Sequence, residues 1–364
     1  MRELTRDEKA LVFLDSFECI EYKHKKALLD LAGSPCEIFK STQLISSYFE
    51  KVGKQQLASS ILLALKRSDY VKEVISNCLI GADDVITLSS DSYPEELANI
   101  PTPPLVLYAR GNVELLKRKK VAIVGSRKTL PLYAKKAEEI ASRLAMSGIA
   151  VVTGIAEGAD TYAIKGAMSH SSVISVFAGE VGRVYPSTAS ELANSLIKSG
   201  GLILSEYPCG RTPRVYSYPV RNRIIAGLSL GTLIVSGSKT SGTRYTAGYS
   251  ADYGREVFCL PYGIGVASGE ICKLLIKNGA TMVETAEEIA DQLNIDLTDG
   301  KEEEISLTDN EKTLYKLIKE GITSTDILAE RSGLMIFEII SALGLLELKG
   351  LIVKDVSGEY GAIK

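Results

Sequence analysis

Tryptophan is absent and histidine nearly so, with His24 and His170 the only two in 364 residues. A histidine-built metal centre, or a triad that turns on an imidazole base, therefore has almost no material. The six cysteines (Cys19, Cys36, Cys78, Cys209, Cys259 and Cys272) include no CxxC pair. That spacing excludes a zinc finger and a disulfide framework, and it fits a reducing compartment. No apolar run nears the roughly 18 residues that a membrane span needs. The N-terminus, MRELTRDEKA, alternates its charges and holds no apolar stretch of the kind a secretory signal requires. Two phosphate-binding fingerprints, GxGxxG and GxxxxGK[ST], are also missing, so hydride transfer and ATP hydrolysis have no warrant. These absences predict a soluble cytoplasmic protein with no membrane partner, no metal and no cofactor.

Charge is present, but unevenly. Residues 1–104 carry 12 Lys+Arg against 16 Asp+Glu, a balance of −4. Residues 105–290 carry 22 against 14, or +8, and residues 291–364 carry 8 against 15, or −7, which returns the chain's total of −3. Within the middle, residues 207–251 hold Arg211, Arg214, Arg221, Arg223, Lys239 and Arg244 and no acid at all. A basic centre between acidic neighbours points to an anionic ligand held in the middle.

The chain is long enough for two or three domains at roughly 100–200 residues each. Amphipathic segments at Thr5–Leu14, Lys25–Leu31 and Gln56–Ile80 predict a small helical block over residues 1–90. Residues 91–104, with four prolines, read as a linker. From 105 to 293, short apolar runs alternate with amphipathic helices, the pattern of an α/β sheet covered on both faces. Strands are expected at Val121–Val124, Ile149–Thr153, Val173–Phe177, Leu202–Leu204, Thr232–Val235, Glu256–Leu260 and Thr281–Val283. An acidic linker over 294–305 leads to residues 306–364. There, three helical segments precede a strand-turn-strand around Ser357-Gly358, a winged-helix pattern.

Three Gly-hydroxyl turns follow predicted parallel strands: Gly125-Ser126-Arg127, Thr153-Gly154, and Ser241-Gly242 ahead of Thr243-Arg244. In a doubly wound sheet such turns meet at the carboxyl edge, where backbone amides and helix N-termini receive phosphate. The segment GRTPRVYSYPVRNRIIAG (210–227) sets four arginines among two tyrosines, a composition suited to single-stranded nucleic acid. Tyr216 and Tyr218 alternate, so either ring can face a ligand while the other packs inward. Asn222 either reads a base edge or caps the helix that follows. Ser205-Glu206, and Glu157 with Asp160, are the nearest approach to a catalytic pair, and both are read as holding loops in place. The expected third winged helix, Ile336–Leu348, contains Glu338 and Glu347 and no cation, which points to a protein contact instead of DNA.

The ordered motifs VAIVGSRK (121–128), VVTGIAEGAD (151–160), SEYPCGRTP (205–213), YPVRNRIIAGLS (218–229), SGTRYTAG (241–248) and GREVFCLP (254–261) resemble the DprA/Smf family. That resemblance implies an extended Rossmann-like, parallel or mixed sheet, flanked by an N-terminal SAM-like helical domain and a C-terminal winged helix. It also implies a homodimer that binds single-stranded DNA without sequence preference, protects incoming strands and loads RecA recombinase during natural transformation, with no enzymatic turnover. Carried over residue by residue, the DNA site comprises Gly125, Ser126, Arg127, Gly154, Arg214, Tyr218, Arg221, Asn222, Arg223, Lys239, Ser241, Gly242 and Arg244. The chain departs from the family pattern at Ala159, Ile164, Ser236, Thr243 and Tyr262. A related Rossmann-like phosphoribohydrolase is the alternative. Its PGGxGTxxE loop has a nearest counterpart here in SGSKTSGTRYTA (236–247), which lacks the glutamate.

Overall fold

The computed structural model describes residues 2–184, 187–298, 307–349, 351–354 and 360–362. Six helices come first: α1 (Arg6–Asp15), α2 (Tyr22–Ala32), α3 (Pro35–Lys40), α4 (Thr42–Lys51), α5 (Gln55–Leu65) and α6 (Ser68–Leu79). The expected single helix over Gln56–Ile80 is two, broken at Lys66-Arg67, where Arg67 leaves helical geometry at φ −117°, ψ 85°. Unbroken, 25 residues would run about 37 Å. The break lets Ile61 and Cys78, on the two halves, enter the same core.

The order then becomes β1 (Asp84–Thr87), α7 (Glu95–Ala98), β2 (Val106–Gly111), β3 (Lys120–Val124), α8 (Pro131–Met146), β4 (Ala150–Thr153), α9 (Ala159–Met168), β5 (Val173–Val176), α10 (Ser187–Lys198), β6 (Leu202–Ser205), α11 (Ser217–Leu228), β7 (Gly231–Ile234), α12 (Thr243–Asp252), β8 (Glu256–Cys259), α13 (Glu270–Lys277), β9 (Thr281–Met282) and α14 (Ala286–Leu293). The strands form one nine-stranded sheet in the order β1-β2-β6-β5-β4-β3-β7-β8-β9. From β6 to β9 all pairing is parallel. β2 and β1 add an antiparallel edge. All seven strands expected from the sequence are present. β1 and β2 were not expected: both lie in or beside the proline-rich stretch, where turn signals mask them.

The central strands β3 to β7 are buried along their whole length, because helices cover both faces. One face packs on α8, α9, α10 and α14. The other packs on α7, α11, α12 and α13. The N-terminal helices share the first of these cores, since Leu11, Leu14 and Phe49 cluster with Val85 and Tyr108 of the antiparallel edge. Arg2 donates to the Val85 carbonyl, and Ser90 donates to Glu8 at 2.6 Å. Helical block and sheet therefore form one compact unit ending at Thr298.

The second unit contains α15 (Asp309–Lys319), α16 (Thr325–Ser332), α17 (Ile336–Leu348) and the antiparallel pair β10 (Ile352–Lys354) and β11 (Tyr360–Ala362). Thr308 opens α15 with a capping box closed by Glu311. Leu314, Leu328, Ile339, Leu343 and Leu346 make a core of their own. The expected turn at Ser357-Gly358 and most of the acidic linker lie outside the described residues. Among the described residues, no helix is long and apolar enough to cross a membrane.

Candidate nucleic-acid interface

The chain winds outward from β3 through β4 and β5 to β6, then returns to place β7 on the other side of β3. This reversal opens a crevice at the carboxyl ends of β3 and β7, the place where ligands dock in doubly wound sheets. Two of the three Gly-hydroxyl turns meet there. The Ser126 amide donates to Ser236 Oγ at 3.0 Å, so the loop after β3 is tied to the loop after β7. Ser236, one of the departures from the family pattern, thus serves as a neutral acceptor. The third turn is joined by Gly158, at φ +83°, where an added Cβ would come 2.3 Å from the Ser126 carbonyl oxygen. The Ala159 amide donates to that same oxygen at 3.3 Å. Ala159 and Ile164, two further departures, are wholly buried and pack in the core.

The base of the crevice is already occupied by charge. Asp160, in the first turn of α9, is 6% exposed, and Gly125 and Gly154 turn their backbone amides toward its carboxylate. Arg221, also 6% exposed, lies against it: an added Cβ on Gly154 would meet Asp160 Oδ2 at 2.6 Å and the Arg221 guanidinium at 2.9 Å. Arg221 also donates to the Val176 carbonyl and, through Nε, to Asn222 Oδ1 at 3.1 Å. Burial pushes the Asp160 carboxyl up to about 6 against the pull of Arg221. The amides of Gly125 and Gly154, expected to cradle phosphate, are thus directed at an internal carboxylate.

Arg223 does not join Arg221. Two residues apart on a helix is about 200° of rotation, so neighbours at i and i+2 face opposite ways. Arg223 pairs with Glu206, and its charge acts on Tyr22, Tyr93 and Tyr253. Burial raises the Glu206 carboxyl above the usual carboxylate range, with Arg223 opposing. Asn222 spends its oxygen on Arg221, neither of the roles anticipated for it. Ser205, also buried, accepts from the Tyr207 amide at 3.0 Å. Glu206 and Asp160 accordingly brace arginines, in line with the structural reading.

The other basic residues stand free on the rim. Arg127, Lys128, Arg214, Lys239 and Arg244 are all exposed, and none has an ion-pair partner among the described residues. The loop between β6 and α11 is held by its backbone: the Glu180 amide donates to the Arg211 carbonyl and the Gly210 amide to Glu180 Oε2, each at 2.9 Å. Pro213 is seated against Gly179. The loop then turns out at Arg214, whose guanidinium lies 6.0 Å from the Tyr216 ring centre. Tyr216 is 59% exposed, whereas Tyr218 is half-buried, so Tyr216 is the ring presented outward. Alternation alone gave no way to choose between them. Arg244 repeats the arrangement 5.0 Å over the ring of Tyr245, which is exposed. Ser241 Oγ accepts from the Thr243 amide at 3.3 Å in the turn before α12, and Gly242, the N-cap residue, is exposed beside it. Tyr262 stacks on Tyr133 with centroids 3.7 Å apart and donates to the Val235 carbonyl at 2.9 Å, bracing the loop after β7 from behind. Arg211 is the exception among the loop arginines, because it pairs with Glu18 of the helical block. Among the described residues no three His, Cys, Asp or Glu side chains cluster as a metal site.

A doubly wound α/β sheet with exposed arginine–tyrosine pairs on loops that follow its strands, and a winged helix on the same chain, defines a Rossmann-type protein. Residues 84–294 match the family described as DNA recombination-mediator protein A, and residues 301–355 match the DprA winged helix domain. Protein Smf of Escherichia coli (strain K12) is 31% identical over 328 residues, covering 86% of this chain and 87% of the relative. DNA processing protein DprA of Bacillus subtilis (strain 168) is 32% identical over 265 residues, 70% of this chain and 86% of that protein. The solved DprA of Streptococcus pneumoniae superposes with a TM-score of 0.58 at 27% identity, over 75% of this chain and 98% of that one. That of Helicobacter pylori, described as having a unique single-stranded DNA binding mode, gives 0.52 at 28% identity, over 58% and 96%. This chain belongs to the DprA/Smf family.

Proposed function

We propose that this chain binds single-stranded DNA without sequence preference, protects incoming strands and loads RecA recombinase on them during natural transformation. It does so in the cytoplasm, as a homodimer, without catalytic turnover. Residues 105–293 hold the DNA, with the helical block (1–90) and the winged helix (306–364) as accessory domains. The observation that carries this reading is the rim of five unpaired cations, Arg127, Lys128, Arg214, Lys239 and Arg244, with Tyr216 and Tyr245 beside two of them. Guanidinium and ammonium groups neutralise phosphates, and exposed rings offer every base a stacking face. The Helicobacter pylori relative's single-stranded DNA binding supports the same ligand.

Fluorescence anisotropy tests the proposal with labelled oligo-dT of about 35 nucleotides, long enough for several site sizes. The titration is run at two salt concentrations with an unlabelled duplex as competitor. Single-strand preference that weakens with salt is expected. A quadruple Arg127→Ala, Arg214→Ala, Lys239→Ala, Arg244→Ala chain should lose about 0.7 of log–log salt slope per phosphate contact removed, up to about 3 in all. No binding at low salt, or an unchanged slope in the variant, would overturn the reading. Turnover of a nucleoside monophosphate would favour the phosphoribohydrolase instead.

A further inference from the structure

A cavity of about 270 Å³ lies between the helical block and the loop that joins β6 to α11. Asp15, Glu18 and Lys25 line it from the helical block, and Glu206, Tyr207 and Thr212 from the loop. Arg214 and Tyr216 line it as well, and both are exposed, so the cavity opens at one of the rim's arginine–tyrosine pairs. Its two sides face each other at close range, since the charges of Asp15 and Lys25 both act on the Glu206 carboxyl.

The lining suits a neutral ligand. Three carboxylates, Asp15, Glu18 and Glu206, stand against three cations, Lys25, Arg211 and Arg214. Lys25 donates to Asp15 Oδ1 at 2.9 Å, Arg211 pairs with Glu18, and Glu206 pairs with Arg223. A phosphate inside would meet three acids, with Arg214 alone left to receive it. A paired carboxylate still accepts, because its two oxygens offer about four lone-pair sites. Asp15 and Glu18 therefore present acceptors, while half-buried Tyr207 and exposed Tyr216 supply ring surface.

We propose that this cavity takes one base of the bound strand, turned out of the stack, and that it favours a base with an exocyclic amino group, cytosine above thymine. The inference rests on the single-stranded DNA reading and adds a preference at one position per chain. Cytosine brings its N4 amino donors to the carboxylates, whereas thymine brings the O4 acceptor to the same place. Arg214 stands at the opening to hold the flanking phosphate. Only an unpaired base can enter, and turning one out costs least in a strand that is already single.

The test uses the whole chain and three labelled strands of equal length: oligo-dC, oligo-dT, and an oligo-dC whose N4 atoms are dimethylated and have lost their donors. Mildly alkaline buffer keeps cytosine unprotonated. Anisotropy should show oligo-dC binding about fivefold more tightly than oligo-dT, with the dimethylated strand no tighter than oligo-dT. Glu18→Ala removes one acceptor, and Thr212→Phe fills the cavity from an exposed position. Each should erase most of the dC-to-dT ratio while oligo-dT binding and the melting curve persist. The ratio isolates the base, because any change in phosphate attraction acts on both strands alike. Equal affinity of the parent for oligo-dC and oligo-dT, an undiminished ratio in both variants, or full binding of the dimethylated strand would overturn the proposal. In those cases salt-dependent oligo-dT binding would leave the DNA reading standing, whereas failure to bind any strand would overturn both.

Discussion

Replacing Arg221 with alanine should damage the fold and spare the ligand site, although the residue lies in the most basic motif of the chain. Arg221 and Asp160 are each 6% exposed, and the Gly154 backbone is packed against both. Removing the guanidinium leaves the carboxylate buried without its counter-charge and the Val176 carbonyl without this donor. Breaking a buried pair from one side typically costs about 3–5 kcal/mol. At about 2 °C per kcal/mol for a unit of this size, the melting midpoint falls by about 6–10 °C. A second substitution, Asp160→Asn, removes the stranded charge and should restore about half of the loss. Oligo-dT affinity, measured well below both midpoints, should stay within about threefold of the parent with an unchanged salt slope, because no rim cation is lost. Arg214→Ala should do the reverse, keeping the midpoint and lowering both affinity and slope. The reasoning fails if Arg221→Ala melts with the parent, or if it loses as much salt-dependent affinity as Arg214→Ala.

Three more outcomes are expected. Asp160 has a folded-state pKa of about 6 against an ordinary 3.8, so the folded chain holds that proton more tightly than the unfolded one. Its contribution to stability therefore declines as pH rises through that window, and the midpoint of Asp160→Asn relative to the parent should climb between about pH 4 and 6; a flat difference refutes the shift. Glu8 runs the other way: hydrogen bonding from Arg2 holds its carboxyl down at about 2, so stability is lost as pH falls from 4.5 toward 2. Glu8→Gln should blunt that acid sensitivity in a pH-resolved melt, and an unaltered acid limb counts against it. Gly158→Ala drives a Cβ into the Ser126 and Arg127 carbonyls at a φ of +83°, and should cost more than about 1–2 kcal/mol. Gly242→Ala, at φ −57° with nothing within 4 Å, should melt with the parent; equal melting of both glycine variants would contradict the placement of the Gly158 loop.

Periodicity and local chemistry determined much of this protein without any tertiary information. Seven strands, the helices between them, the cation-free third helix of the winged-helix unit and the acid-free stretch 207–251 were legible because each is written within a few consecutive residues. β1 and β2 were not, because an edge strand beside four prolines is recognised only by its pairing with β6 and with its neighbour. The same limit governed the site. Sequence marked the arginines, but burial and direction depend on what packs around α11, and there only the tertiary structure decided. It sent Arg221 to Asp160 and Arg223 to Glu206, and left Arg214 in solvent. It likewise turned Tyr216 outward and Tyr218 partly inward, and it aimed the Gly125 and Gly154 amides at a carboxylate from a later helix. A residue's type specifies which interactions it can make. Which one it makes depends on partners that the fold brings from far along the chain, and no local pattern records them.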